Sequence, residues 1–171
     1  MPFLLLILSL TGALTQGALK FDVPAGWTTR PAASSMRVAE FTLPRAPKDA
    51  EDAELVVYFF GGQGGSVQAN LDRWIGQMTQ PDGRPSSAVA KTSAEQTRSG
   101  LKVSLVDVGG TYVAEVKPGA TERFNKPGYR LRAAVVETPR GPYFIKLTGP
   151  AATVARWEDS FRAFIASLHV G

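Results

Sequence analysis

Leu55 to Phe60 reads Leu-Val-Val-Tyr-Phe-Phe, a continuous apolar run between a charged stretch and a cluster of glycines. A run this short, with no polar position, has two faces to hide. That is the mark of a strand in the middle of a sheet covered on both sides. The chain must therefore supply cover from two directions, and two segments have the pattern to do so. Val67, Leu71, Trp74, Ile75 and Met78 fall on one helical face, with Ser66 placed as the N-cap. Val154, Trp157, Phe161, Ile165 and Leu168 repeat at three- and four-residue steps after Gly149-Pro150.

The remaining apolar segments alternate with the period of strands. Lys20–Val23 ends at Pro24, and Met36–Leu43 carries a conflict of faces that predicts a bulge. Ala88–Glu95 and Leu101–Val108 flank Ser99-Gly100, and Gly109-Gly110 interrupts the chain before Thr111–Val116. Lys117–Gly128 reads as a long loop. Tyr129–Thr138 and Tyr143–Thr148 form a hairpin about Pro139-Arg140-Gly141-Pro142. Runs of strands, rather than strict alternation with helices, predict an α+β fold. Its expected form is a central antiparallel sheet of about six or seven strands flanked by two main helices, an α/β/α sandwich.

The C-terminal third narrows this further. The Tyr129–Thr138 and Tyr143–Thr148 hairpin is followed by Gly149-Pro150, Thr153-Val154 and a helix closing with Phe161 and Ala166-Ser167-Leu168. This arrangement resembles the PsbP-like superfamily. The resemblance implies an α/β/α sandwich with a central antiparallel sheet over most of the chain from Phe21 onward. It implies no activity, because members of that group act in unrelated ways and function does not follow from fold. No metal- or partner-binding position of that group is matched here, and His169 is the only histidine.

Phe3–Leu10 is apolar apart from Ser9, and small or polar residues follow to Ala18. This is the outline of a signal peptide over residues 1–18, leaving one globular domain over residues 19–171. The apolar run is shorter than the roughly 20 residues that span a bilayer. No Lys or Arg precedes it, so the α-amino group is the only positive charge ahead of it. The expected location is periplasmic or secreted. A composition of 44% hydrophobic and 20% charged residues is that of a folded chain. The absence of cysteine excludes disulfides, thiolate metal sites and cysteine nucleophiles. The net charge of +4 is spread along the chain rather than gathered in a stripe, which argues against nucleic acid as the partner.

Catalytic chemistry finds little footing. There is no nucleophile elbow, and His169 is the third residue from the end of the chain. Asp49, Glu51, Asp52 and Glu54 lie close together but lack the spacing and turn glycine of a calcium loop. Asp107 and Glu115 sit within expected strands, where ion pairs or solvent account for them. The sharpest feature is Gly61, Gly62, Gly64 and Gly65 with Ser66, between a buried strand and a helix N-terminus. Such a loop can cradle an anion, yet it lacks the Gly-Lys-Ser/Thr of a P-loop and the spacing of a dinucleotide fingerprint. The plainer reading is a turn that folds the helix back onto the sheet. Candidate surface contacts are Trp27, Asn70, Arg73, Tyr112 and Tyr129. No catalytic residue, metal site or cofactor is expected. The reading is a non-enzymatic binding or accessory protein whose partner is an envelope or extracellular protein or polymer. The alternative is an anion- or phosphate-binding enzyme using Gly61–Gly65. Expressed in its own host, the chain is expected to lose a mass matching cleavage between Ala13 and Leu19 and to fractionate outside the cytoplasm. A full-length cytoplasmic product overturns the export expectation.

Overall fold

The computed structural model describes residues 17–171. The expected targeting segment lies outside the described residues except for Gly17 and Ala18. The sheet is built from β2 (Thr28–Arg30), β3 (Arg37–Leu43), β4 (Ala53–Phe59), β5 (Met78–Thr79), β6 (Lys91–Gln96), β7 (Lys102–Tyr112), β8 (Lys126–Val136) and β9 (Tyr143–Pro150). Its order is β2-β3-β4-β9-β8-β7-β5, and β6 also pairs with β7. Every pairing is antiparallel. A separate two-residue ladder joins β1 (Leu19–Lys20) to β10 (His169–Val170).

The main sheet thus has eight strands rather than six or seven. Two of them, Thr28–Arg30 and Met78–Thr79, are too short to carry an alternation. Leu101–Val108 and Thr111–Val116, expected as separate strands, are joined in β7 as far as Tyr112, with a register shift after Gly110. The bulge expected in β3 falls between Arg37 and Ala39. Because β7 has 11 residues, β6 pairs along Lys102–Asp107 and β5 along Thr111-Tyr112, both on the same edge.

Three α-helices lie among the described residues: α1 (Val67–Ile75), α2 (Ala151–Arg156) and α3 (Glu158–Ser167). Ser66 caps α1 as expected, its side chain accepting from the Ala69 N–H at 3.2 Å. Met78, expected on the helical face, begins β5 instead, yet it stays buried beside Leu71 and Trp74. The single C-terminal helix expected is broken at Trp157, where φ is −100° and ψ is 15°. The Trp157 indole N–H donates to the Pro44 carbonyl at 2.8 Å, which ties the break to the loop after β3. Gly26 makes room for that ring: with φ +87°, a Cβ there would stand 2.7 Å from Trp157. No helix among the described residues is long and apolar enough to cross a membrane.

Two cores result. α2 and α3 cover one face, where Phe41, Leu55, Val57, Ile145, Leu147, Val154, Phe161 and Phe164 are buried. α1 covers part of the other, over Val106, Val108, Leu131, Val135 and Phe144. Trp27 belongs to the first core. Its ring lies 5.2 Å from Phe164 and 5.7 Å from Phe41. At 8% exposure it offers nothing to a partner, so its candidacy as a surface contact is corrected. The turn at Pro24–Gly26 directs the indole inward under α3. Asp107 is bound by Arg130 through Nε at 2.8 Å and Nη2 at 2.6 Å, while Arg132 pairs with Glu158 and lies over the Phe161 ring. These pairs fasten α3 to β7 and β8. Phe164→Ala removes the side chain at the centre of the aromatic cluster and is expected to cost about 3–5 kcal/mol in urea unfolding. Arg162→Ala, on the exposed side of the same helix, should stay within about 0.5 kcal/mol of the parent.

Candidate functional site

The glycine loop is shaped by packing. Gly61, Gly62, Gly64 and Gly65 all have positive φ, between +63° and +120°. A Cβ on Gly64 would meet the Phe144 ring at 2.6 Å. The polar side chains of Ser66 and Asn70 at the start of α1 are spent internally. Asn70 Nδ2 donates to the carbonyls of Gly64 at 2.7 Å and Ser66 at 2.8 Å. Asn70 is 2% exposed, so its candidacy as a surface contact is also corrected. Its amide ties the helix to the loop, a role that helical periodicity does not show. Its Oδ1 accepts from Arg73 Nη2 at 2.6 Å, and the Arg73 side chain is exposed.

The acids before β4 are likewise engaged. Asp49 accepts from the Thr153 N–H and hydroxyl at the start of α2. Asp52 accepts from the Arg45 N–H, and Glu51 binds Lys126 and Tyr129. Glu115 lies 3.6 Å from Arg123 and closes the loop before β8. His169 Nδ1 sits 2.9 Å from the Ser167 carbonyl. Beside α3 a polar recess of about 200 Å³ is lined by Arg132, Glu158 and Phe161 among others. Its central charges are the pairs that hold α3 down.

A different place gathers chemistry. In register, Glu54 and Thr148 lie opposite one another, as do Val56 and Lys146, and Tyr58 and Phe144. These share the α1 side of the sheet, together with Arg37 and Glu40 of β3. Where α1 ends, this face is open and polar. Lys146 Nζ donates to Gln77 Oε1 at 2.6 Å and to Tyr112 Oη at 2.8 Å, and sits over the Tyr112 ring. Tyr112 stacks on Phe124 at 5.6 Å and on Tyr129 at 6.1 Å. Arg37 Nη1 lies 3.1 Å from Glu40 and 3.9 Å from Glu54, while its guanidinium covers Tyr58.

Burial, reinforced by the charge of Arg73, lowers the Lys146 pKa from 10.5 to about 8. Burial also raises the Tyr58, Tyr112 and Tyr129 hydroxyls, so all three remain protonated donors at neutral pH. Of the candidates drawn from the sequence, Arg73, Tyr112 and Tyr129 border this face. The glycine loop lies at the opposite end of the strands, beside the 139–142 turn. Lys146, Gln77, Tyr58 and Arg37 were not foreseen. The available signal was a lone lysine between Ile145 and Leu147, in a strand otherwise apolar through its middle.

No family model and no curated protein matches the chain. Among solved structures, the solution structure of cyanobacterial PsbP from Synechocystis sp. PCC 6803 is similar at a TM-score of 0.47 and 13% identity, over 96% of this chain and 99% of that one. A Pseudomonas aeruginosa protein of unknown function, PA94, is similar at a TM-score of 0.47 and 17% identity, over 80% of this chain and 91% of that one. No activity comes to this chain through either similarity.

A lysine whose folded pKa lies near 8 and whose unfolded value is near 10.5 is less protonated in the native state between those values. The unfolded chain then binds more protons, and stability rises with pH across that window. Lys146→Met should flatten this rise, read as urea midpoints from pH 7 to pH 10.5. An unchanged rise in the variant assigns it to another group.

Proposed function

We propose that this is an exported binding or accessory protein of the cell envelope, acting without catalysis through the open polar face beside α1. The export part rests on the signal-like N-terminal sequence. The binding part rests on one observation above all: a partly buried lysine held between Gln77 and Tyr112 at the foot of an aromatic stack. Fixed aromatic rings bordered by cations give contact area at low conformational cost, together with a charge that selects the partner. The face carries Arg30, Arg37, Arg73 and Lys146 against Glu40 and Glu54, so its complement is acidic. An enzyme centred on Gly61–Gly65 draws less support, since the left-handed turn accounts for its four glycines and close packing on Phe144 accounts for Gly64.

The test is retention from an envelope extract on the immobilised full chain. Arg30→Glu and Lys126→Glu reverse charges at the two flanks of the face, where the Arg30 side chain is 53% exposed and that of Lys126 32% exposed. Like charges set opposite a partner cost several kcal/mol, so each variant is expected to retain about tenfold less of the same partner. Equal retention by wild type and both variants puts the contact elsewhere and overturns the reading.

A further inference from the structure

Two kinds of cation share the open face. Arg30 and Arg37 are matched by carboxylates: Arg30 lies 3.7 Å from Glu54, and Arg37 lies within ion-pair reach of Glu40 and Glu54. Lys146 and Arg73 are not. Among the described residues their polar contacts are neutral: Gln77 and Tyr112 for the lysine, Asn70 for the arginine. A partly buried ammonium held only by neutral dipoles, with a guanidinium charge bearing on it, is an electrostatically incomplete site. A purely structural lysine would be better served by the carboxylate that its neighbours receive.

Counting donors sharpens the point. An ammonium has three N–H groups, and two of those on Lys146 are used. Tyr112 accepts from Nζ, so its own O–H remains to be donated, and stacking on Phe124 and Tyr129 holds its ring in place. Arg73 spends one N–H on Asn70 and keeps the rest of its fork. Tyr129 and Lys126, by contrast, are closed on Glu51. The spare donors therefore come from three different elements, β9, β7 and α1, at the α1 corner of the face, where the charge of Arg73 bears on Lys146.

We propose that this corner binds a tetrahedral oxyanion, a phosphate or sulfate group, through the Lys146 ammonium, the Tyr112 hydroxyl and the Arg73 guanidinium. Donors of different shape arriving from separate elements suit a tetrahedral anion better than a planar carboxylate, which a single guanidinium fork would serve. The inference rests on the binding function proposed above and names the chemistry that the face recognises. The ionisable groups around Lys146 are Arg73 from α1, Glu54 and Tyr58 from β4, Arg37 and Glu40 from β3, and Tyr112 from β7. β8 presents only Ala133 opposite it. Lys146 changes charge near pH 8, which gives the site a pH signature.

The experiment uses the full chain with sulfate, which does not titrate near neutrality. Calorimetry is expected to show saturable binding that weakens as pH rises above about 8, and NMR is expected to show the Lys146 pKa moving upward when sulfate is bound. R73Q replaces an exposed side chain, leaves the core intact, and should weaken binding about tenfold or more. K146M should remove both the binding and its pH dependence; should that variant fail to fold, R73Q decides. Inorganic phosphate and phosphatidylglycerol vesicles separate a free ion from a lipid headgroup. Binding of either that is lost in R73Q supports the site and names its source. Sulfate and phosphate that leave Lys146 unmoved, with vesicles bound equally by wild type and R73Q, overturn it. A partner retained through the face and indifferent to sulfate and phosphate overturns this inference while leaving the binding function standing. Anion binding with no retained partner does the reverse.

Discussion

The structure turns on unequal cover for the two faces of one sheet. Seven lateral strand positions, with β5 and β6 sharing an edge, span about 29 Å at the usual strand spacing. A helix with its side chains is about 10 Å across. On one side α2 and α3, kinked at Trp157, wrap over a continuous core that runs from Phe41 to Val136. On the other, α1 has nine residues and packs over β7 and β8. Among the described residues the strip over β3, β4 and the part of β9 beyond Phe144 has no helix over it. Water reaches that strip, so its side chains must be polar or amphipathic, which is why Glu54, Tyr58, Arg37 and Lys146 are tolerated in otherwise apolar strands.

What could be read in advance is what depends on local pattern. The apolar run of β4, the hairpin of β8 and β9, the stripe of α1 and its Ser66 cap follow from periodicity and from the chemistry of orphan N–H groups. Elements set by distant partners could not be read so. Thr28–Arg30 is a strand only because the β3 edge is available to it. Trp27 is core because Phe164, far along the chain, closes over it. Asn70 faces outward on a helical wheel, but the left-handed glycines carry the Gly64 carbonyl back over its amide.

The site was less legible than the fold, for a similar reason. Tyr112, Tyr129 and Arg73 are the kinds of residue that surfaces use, and each could be named singly. The setting of Lys146 depends on the register that places Val56 and Ala133 beside it, and on the chain leaving α1 so that Gln77 reaches back. Spacing in sequence carries none of that. The one trace was compositional: a charge in a buried strand must find partners, and the strand pattern does not say which.

Charges partly buried on the two faces are handled in opposite ways. Under α3, Asp107 and Glu158 are matched by Arg130 and Arg132, and the Asp107 carboxyl is held below its usual range by Arg130. Removing a partner there would strand a charge, so those pairs act as fasteners. Beside α1 the Lys146 ammonium has dipoles but, among the described residues, no carboxylate in contact, and its pKa falls instead of rising. Such a group disfavours the folded state at neutral pH, and that cost is offset by the apolar core on the other face. An apolar side chain in place of Lys146 would avoid it. Lys146 thus lowers stability and leaves donors unspent, whereas the charges under α3 are matched within the fold.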